Sequence, residues 1–290
     1  MNPGIEKLSF LLLSSPFAVF FGGAGVSTES GIPDFRSPTG LYAAKNVYGR
    51  SPEELLSRGV FEREPELFFR YYKENLISPG AKPNPAHLAL AALERAGKLE
   101  AVVTQNIDGL HQAAGSVRVL ELHGSNLRHY CVECGARYTL GYILAPENCG
   151  GPGARAFSGG DSARPKDNGV SRRSVSGGLC RLVPRCEKCG GIVRPDVVLY
   201  GENLDGDVLS RAAEAISRAR LLIVGGTSLA VYPAAGLLEY FRGDALVIIN
   251  KSPTPYDGKA DLVIREPIGE TLSKATEAGV PRGAERGDYS

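Results

Sequence analysis

Four of the six cysteines form two CxxC pairs, Cys131 with Cys134 and Cys186 with Cys189. Thiolates at this spacing suit a tetrahedral Zn²⁺ ion, and four of them leave no position open for water. The pattern therefore predicts a structural zinc. In a chain of 290 residues it also favours metal binding in a reducing compartment over a disulfide framework. The remaining cysteines, Cys149 and Cys180, are predicted to be free thiols.

One histidine is placed to do acid–base chemistry. His123 ends an apolar, strand-like run and precedes a glycine, whereas the other three histidines lie in helical patterns or beside the cysteines. An imidazole at a strand end can act as a general base near neutral pH. His123 is the candidate catalytic residue, and a structural histidine is the alternative that the pattern leaves open.

Polar side chains also follow the strand-like run that ends at Thr104. Gln105, Asn106 and Asp108 would project into the crevice that forms at the carboxyl ends of parallel strands. An amide offers a donor and an acceptor to a carboxamide, and a carboxylate can hold a ribose hydroxyl. The alternative is that Asn106 and Asp108 cap the next helix.

The stretch GGAGVSTESGIPDFRS, residues 22–37, follows another strand-like run. Its small residues permit a tight turn whose amides face a pyrophosphate at a helix start. Beyond it, an acid, an aromatic ring and a cation could cover the ribose and the leaving group of a dinucleotide. A turn without a ligand and a solvated loop are the alternatives. The candidate cofactor residues are Gly23, Ala24, Gly25, Asp34, Phe35 and Arg36.

Two later strand ends complete the predicted crevice. The turn GGTSLAVYPAAG contains Gly226, with Thr227 and Ser228 directed toward phosphate or ribose, and Asn250 is directed toward the adenosine ribose. The segment RPDVVLYGEN, residues 194–203, reads as extended backbone to which a peptide could add as a further strand.

The elements that must position these residues alternate between strand and helix. Apolar runs suited to strands buried on both faces occur at 17–21, 101–104, 117–122, 221–224, 246–250 and 262–264. Helical patterns lie between several of them, and the clearest begins at Asn84 and Pro85 and ends at Gly97. This alternation predicts an α/β fold with a doubly wound parallel sheet.

Two insertions interrupt the alternation. Residues 42–77 form a helical module, and residues 129–193 contain all six cysteines. Together they are predicted to form a smaller domain, whereas residues 1–41, 78–128 and 194–280 form the larger one. We expect the glycine-rich stretch 150–178 to be disordered and the polar tail 281–290 to fray.

Composition limits the partners. The formal net charge is +1, so the overall field gives no reason to expect nucleic-acid binding. Pro16 divides the apolar run near the amino terminus, which argues against a signal peptide. No other segment approaches the ~18 apolar residues of a membrane span. We therefore expect a cytoplasmic protein without membrane contact.

Several of these stretches occur together in one known family. The chain resembles the sirtuins, NAD-dependent protein-lysine deacylases, in seven ordered motifs: GAGVSTESGIPDFRS, TQNIDGLH, LHG, the two CxxC pairs, RPDVVLYGEN, GTSLAVYPAAG and IINK. The resemblance implies a Rossmann-like domain, a smaller domain bearing one structural zinc, and NAD consumed as a co-substrate. It also implies acylated lysine side chains as partners. Mono-ADP-ribosyl transfer and a non-catalytic NAD-responsive binding module remain alternatives.

The resemblance also assigns roles by position. It places Ala24, Gly25, Thr227, Ser228, Asn250 and the Ala260–Leu262 segment with Asp261 around NAD, and Gln105, Asn106 and Asp108 around the nicotinamide and its ribose. His123 matches the catalytic base, which deprotonates a ribose hydroxyl after the acyl oxygen has displaced nicotinamide. Positions whose backbone flanks the substrate peptide match Gly201, Glu202 and Val231. Val198 and Leu199 match the wall of the acyl-lysine tunnel, where many relatives have an aromatic residue at the position of Leu199.

One departure bears on the acyl group. Relatives that prefer succinyl or malonyl lysine carry a tyrosine and, three residues later, an arginine that pairs with the acyl carboxylate. Here Tyr72 and Asn75 occupy those positions. Without a guanidinium there is no bidentate partner for a buried carboxylate, so we expect neutral acyl groups to be preferred.

Overall fold

The computed structural model describes residues 2–35, 48–149 and 183–279. Arg36, Cys180, the 150–178 stretch and the 281–290 tail lie outside these ranges, so the predictions made for them stay predictions.

The described residues form strands and helices in the predicted alternation. The strands are β1 (Ala18–Gly22), β2 (Leu99–Thr104), β3 (Val119–Glu121), β4 (Gly124–Cys131), β5 (Arg137–Thr139), β6 (Val193–Val197), β7 (Leu221–Gly225), β8 (Ala245–Ile249) and β9 (Leu262–Ile264). The α-helices are α1 (Pro3–Ser14), α2 (Pro52–Leu55), α3 (Arg58–Arg63), α4 (Pro65–Asn75), α5 (Pro85–Arg95), α6 (Leu110–Ala113), α7 (Leu140–Leu144), α8 (Gly206–Arg218) and α9 (Ile268–Gly279).

Six strands form a parallel sheet in the order β3-β2-β1-β7-β8-β9. The six runs expected from the sequence are these six strands, and the doubly wound fold is confirmed. Because the order reverses between β1 and β7, the crevice outside their carboxyl ends is the expected ligand site. Gly22 and Gly225 end these two strands and are partners in the register.

Each face of the sheet carries its own core. Alternate residues such as Phe20, Ile223 and Val247 pack with α1, α5 and α9 on one face. Their neighbours Phe21 and Val224 pack with α8 on the other. Burial on both faces explains why these strands read as continuous apolar runs.

Local capping fixes helix α5. The side chain of Asn84 accepts a hydrogen bond from the amide of Ala86, and His87 Nδ1 accepts one from the amide of Asn84. Gly97 follows the helix with a φ of 69°. The helix therefore begins and ends where the sequence predicted.

The smaller part combines helices α2, α3 and α4 with an antiparallel sheet of order β5-β4-β6. Aromatic residues of α3 and α4 share a core with Ile143 and Val193 from the cysteine region. Strands β4 and β6 pair along the entry to and exit from that region. The expected domain boundary at residue 128 therefore falls inside β4, because this long-range pairing extends the small sheet to Gly124. Within the described ranges, no helix combines the length and the apolarity needed to cross a membrane.

Candidate active site

Two glycine turns meet at the reversal point of the sheet. The amide of Gly25, after β1, donates to the carbonyl of Gly226, after β7, at 2.8 Å. A Cβ on Gly25 would lie 2.8 Å from the Gly226 backbone, and Gly226 itself has a φ of 59°. Both turns therefore need glycine, one for close approach and the other for its left-handed conformation.

A cavity of about 460 Å³ opens beside these turns. Its wall combines predicted cofactor residues with others that were not predicted, among them Gly25, Thr28, Asp34, Gly226, Asn250 and Lys251. After Gly23 the chain forms two short 3₁₀ turns, Ala24–Val26 and Thr28–Ser30. The helix start expected at the phosphate turn is therefore a pair of short 3₁₀ turns. Phe35 packs against the core of the smaller part.

Gln105, which follows β2, is bonded to residues at the ends of three other strands, β1, β3 and β7. Its amide donates to the carbonyl of Gly22 at 3.0 Å, and its side-chain Nε2 donates to Thr227 Oγ1 at 3.1 Å. Its carbonyl accepts from His123 Nδ1 at 3.0 Å. The residues predicted after β1, β2, β3 and β7 are thus held together at one edge of the sheet.

A buried network lies beneath Asn106 and Asp108. Ser27 Oγ donates to Asp108 Oδ2 at 2.7 Å and accepts from Asn106 Nδ2 at 3.0 Å. Asp108 Oδ1 also accepts the amide of Leu110, the first residue of α6, at 2.9 Å, whereas the N-cap residue itself is Gly109. Sequence reasoning missed Ser27, whose only signal was a hydroxyl two residues after Gly25 of the phosphate turn.

His123 lies in the turn between β3 and β4 and is half-buried. A carbonyl can only accept, so the bond to Gln105 keeps the proton on Nδ1 and leaves the lone pair of the neutral ring on Nε2. Burial lowers the pKa of His123 below 6.5, although the bond to Gln105 opposes the shift. The imidazole is therefore neutral, and able to accept a proton, at physiological pH.

The remaining predicted cofactor residues differ in position. Ser228 is half-buried beside Thr227, whose hydroxyl also accepts the amide of Leu229 at 3.2 Å. Asn250 lies in the cavity wall, where its side chain donates to Ser252 O at 2.7 Å. Asp261 is elsewhere: its carboxylate accepts the amide of Leu246, near the amino end of β8 and therefore away from the crevice.

The residues predicted to bind substrate follow β6. The amide of Val198 donates to the carbonyl of His123 at 3.0 Å, which brings this segment beside the candidate base. Leu199 is buried, Gly201 has a φ of 90°, and the carboxylate of Glu202 pairs with Arg194. Val231 is half-buried in the loop after β7.

Tyr72 and Asn75 make internal contacts on α4. The hydroxyl of Tyr72 is fully buried and donates to Asn126 Oδ1 at 2.8 Å, and burial raises its pKa far above 10.0. Asn75 Nδ2 donates to the carbonyl of Tyr71 at 2.9 Å. Tyr72 is therefore a core residue whose polar atom is already satisfied.

The four cysteines of the two pairs converge. Their sulfur atoms lie within 4.8 Å of one another, with 3.4 Å between Cys131 and Cys189 and 3.6 Å between Cys134 and Cys186. Tetrahedral zinc with bonds of about 2.3 Å needs sulfurs about 3.8 Å apart, so the set fits that ion. Cys149 lies outside the cluster, near Lys73.

Glycine turns at a reversal of a parallel sheet, with an imidazole at a neighbouring strand end, define a dinucleotide-dependent enzyme class. A match to the Sir2 family model over residues 23–233 identifies the family within this enzyme class: the chain belongs to the Sir2 family.

Relatives extend over nearly the whole chain. An NAD-dependent protein deacetylase of Clostridium perfringens strain 13 is 52% identical over 278 residues, covering 96% of this chain and 100% of that protein. A structure described as the basis for the mechanism and regulation of Sir2 enzymes has a TM-score of 0.77 at 38% identity, covering 96% of this chain and 98% of that one. A Sir2 histidine-to-alanine variant with a deacetylated p53 peptide and 3′-O-acetyl-ADP-ribose has a TM-score of 0.76 at 37% identity, covering 95% and 98%.

Proposed function

We propose that the protein is an NAD-dependent protein-lysine deacetylase that transfers the acyl group to ADP-ribose and releases nicotinamide. The observation that carries the proposal is the bond from His123 Nδ1 to the carbonyl of Gln105 at the edge of the glycine-turn crevice. It presents a neutral Nε2 where the loops after four strands meet. Relatives that carry the same activity in their names, at 40–52% identity, support it.

The residues of the crevice suit NAD. The turns at Gly23–Gly25 and Gly226–Ser228 would border the pyrophosphate. The amides of Gly23, Gly25 and Gly226 already donate to backbone carbonyls, so these three glycines hold the two turns together and let the ligand approach the backbone. Asn250 would hold the adenosine ribose, and Gln105, Asn106 and Asp108 the nicotinamide end. NAD supplies an anomeric carbon with a good leaving group, since nicotinamide departs from a cationic pyridinium.

The protein's own groups then have three tasks. His123 Nε2 accepts the proton of a ribose hydroxyl, while Gln105 keeps the ring in the required tautomer and orientation. The Val198–Glu202 segment and the loop at Val231 would flank the peptide and direct its acyl-lysine toward the crevice. Asp34 and Phe35 would cover the site, as would Arg36.

Finer features are proposals as well. We propose acylated lysines as substrates with a preference for neutral acyl groups, since Asn75 supplies no cation for a carboxylate. A structural zinc on the four cysteines is supported by the spacing of their sulfurs. A cytoplasmic location is supported by that cluster of thiols, which needs a reducing compartment, and the absence of nucleic-acid binding rests on the near-neutral charge.

The deciding experiment measures nicotinamide release with NAD, with acetylated peptide, and with both. We expect release only with both, and mass spectrometry should identify O-acetyl-ADP-ribose beside the free peptide. His123→Ala should abolish O-acetyl-ADP-ribose formation and steady-state nicotinamide release, because the base acts after the first nicotinamide has left, but it should retain NAD binding. Arg220→Ala, in an exposed ion pair at the opposite edge of the sheet, should match wild type. An ADP-ribosylated peptide would support mono-ADP-ribosyl transfer. Binding of NAD without any release would support a binding module.

A further inference from the structure

Arg194 is a buried cation at the start of β6. Its side chain is 10% exposed, and its guanidinium makes a bidentate pair with Glu202, from Nη1 to Oε1 at 2.7 Å and from Nη2 to Oε2 at 3.0 Å. Nη2 also donates to the carbonyl of Val197 at 2.9 Å, and Nε to that of Pro195 at 3.3 Å. Every nitrogen of the planar group therefore has a partner within its own segment.

The guanidinium contacts two aromatic rings. The ring centroid of Phe61, on α3 of the helical module, lies 5.3 Å from Cζ, and that of Tyr130, on β4 of the small sheet, lies 5.6 Å away. Such contacts stabilise a desolvated cation. Arg194 thus joins residues from both insertions to a segment that returns toward the crevice.

Its partner Glu202 closes a turn. Glu202 Oε2 accepts the amide of Leu199, and the amide of Glu202 donates to the carbonyl of Leu199, each at 2.9 Å. Burial would raise the pKa of Glu202, but the hydrogen bonds from Arg194 and Leu199 outweigh it and hold that pKa below 4.5. The carboxylate therefore stays charged and keeps the turn shut.

The same turn is bonded to its surroundings on both sides. The amide of Val198 donates to the carbonyl of His123, and the amide of Tyr200 donates to the carbonyl of Leu56 before α3. The amide of Arg58 in turn donates to the carbonyl of Tyr200 at 2.9 Å. The conformation of the Val198–Glu202 segment thus depends on the candidate base, the helical module and the Arg194–Glu202 pair together.

We propose that Arg194 is a positioning residue for peptide binding: held by the rings of Phe61 and Tyr130, its guanidinium fixes Glu202 and so sets the backbone against which the acyl-lysine peptide lies. Lysine cannot replace it, because an ammonium has neither the planar fork nor the stacking faces. The NAD crevice is held by separate bonds at Gly22, Gly25 and Gln105, so NAD binding does not depend on Arg194.

The test rests on the proposed function and compares Arg194→Lys and Arg194→Met with Arg128→Lys. Arg128 is a matched control, since it is also an ion-paired arginine of the small sheet, bonded to Asp196 on β6 and to Glu121 on β3, but is half-exposed. For both Arg194 variants we expect KM for an acetylated peptide to rise roughly tenfold or more, with KM for NAD within about twofold of wild type and zinc content unchanged. A KM split of this kind is not what general destabilisation produces.

An unchanged peptide KM, or a parallel rise in both KM values with loss of zinc, would overturn the inference. If Arg194→Met does not fold, Arg194→Lys decides alone. Hydrogen exchange separates this inference from the proposed function, because it needs no turnover. The Val198–Glu202 amides should exchange faster in Arg194→Lys than in Arg128→Lys, and equal rates would refute the role of Arg194 even if the wild type proves inactive on acetylated peptides.

Discussion

His123 Nδ1 donates to the carbonyl of Gln105 across 3.0 Å, and this bond sets which nitrogen of the candidate base can accept a proton. The backbone carbonyl cannot be removed by a side-chain substitution, so the tautomer is a property of the fold. The consequence for catalysis can be measured as the pH dependence of activity.

Activity should persist below the ordinary titration range of histidine. Burial lowers the pKa of His123 below 6.5, so the neutral, reactive ring is retained at pH values where an exposed imidazole is already protonated. As pH falls through that lowered pKa, the base is lost. The measurement is kcat/KM for acetylated peptide between pH 5 and 8, and an acidic limb centred above pH 6.5 would contradict the assignment of His123 as the base.

Gly25→Ala should weaken NAD binding and destabilise the protein. The new methyl group would lie 2.8 Å from the backbone of Gly226, so the two glycine turns must separate, at a cost of about 1–3 kcal/mol. Isothermal titration with NAD and denaturant unfolding measure the two effects. Gly206→Ala is the control, because no atom lies within 4 Å of its added Cβ. Wild-type affinity in Gly25→Ala would show that the turns are not the NAD cradle.

Cys186→Ser should remove zinc and lower Tm. Loss of one thiolate leaves three ligands, and structural zinc sites contribute directly to folding. Metal analysis and thermal melting of the purified variant test this, with Cys149→Ser as the control that retains zinc because it lies outside the cluster. A wild-type protein that contains no metal, or a Cys186→Ser variant with full zinc content, would disprove the site.

Acetyl-lysine and propionyl-lysine peptides should be turned over much faster than succinyl-lysine peptide. A buried carboxylate without a bidentate partner is costly, and Asn75 provides no charge to offset it. Matched peptides that differ only in the acyl group give the comparison through their kcat/KM values. Comparable values for the succinyl and acetyl peptides would refute the expectation, and Asn75→Arg tests whether the missing cation is the reason.

Much of the fold follows from local sequence. The six parallel strands were predicted because burial on both faces makes each of them an unbroken apolar run, and α5 because Asn84, Pro85 and Gly97 mark its ends. The convergence of Gln105, His123 and Thr227 follows from a general property of parallel sheets, whose carboxyl strand ends share one edge.

Features made by distant pairings were not predictable. Strand β4 extends back to Gly124 because it pairs with β6, which is far away in the sequence. The role of Ser27 was not predictable, because its hydrogen bonds form only when α5 and the residues after β2 pack around the phosphate turn. Asp261 lies beside the amino end of β8, whereas the crevice is at the carboxyl end, and the order of the motifs does not reveal this. The Arg194–Glu202 pair depends on two rings from separate insertions.

The hydrogen bond from the amide of Val198 to the carbonyl of His123 joins the residue before β4 to the residue after β6. Both cysteine pairs lie between these two residues in the sequence, and the pairing of β4 with β6 continues from the same bond. The entropic cost of such a closure grows only with the logarithm of its length. Insertions and deletions between residues 150 and 182 should therefore be tolerated without displacing the base, which leaves that stretch free to vary while the chemistry stays fixed.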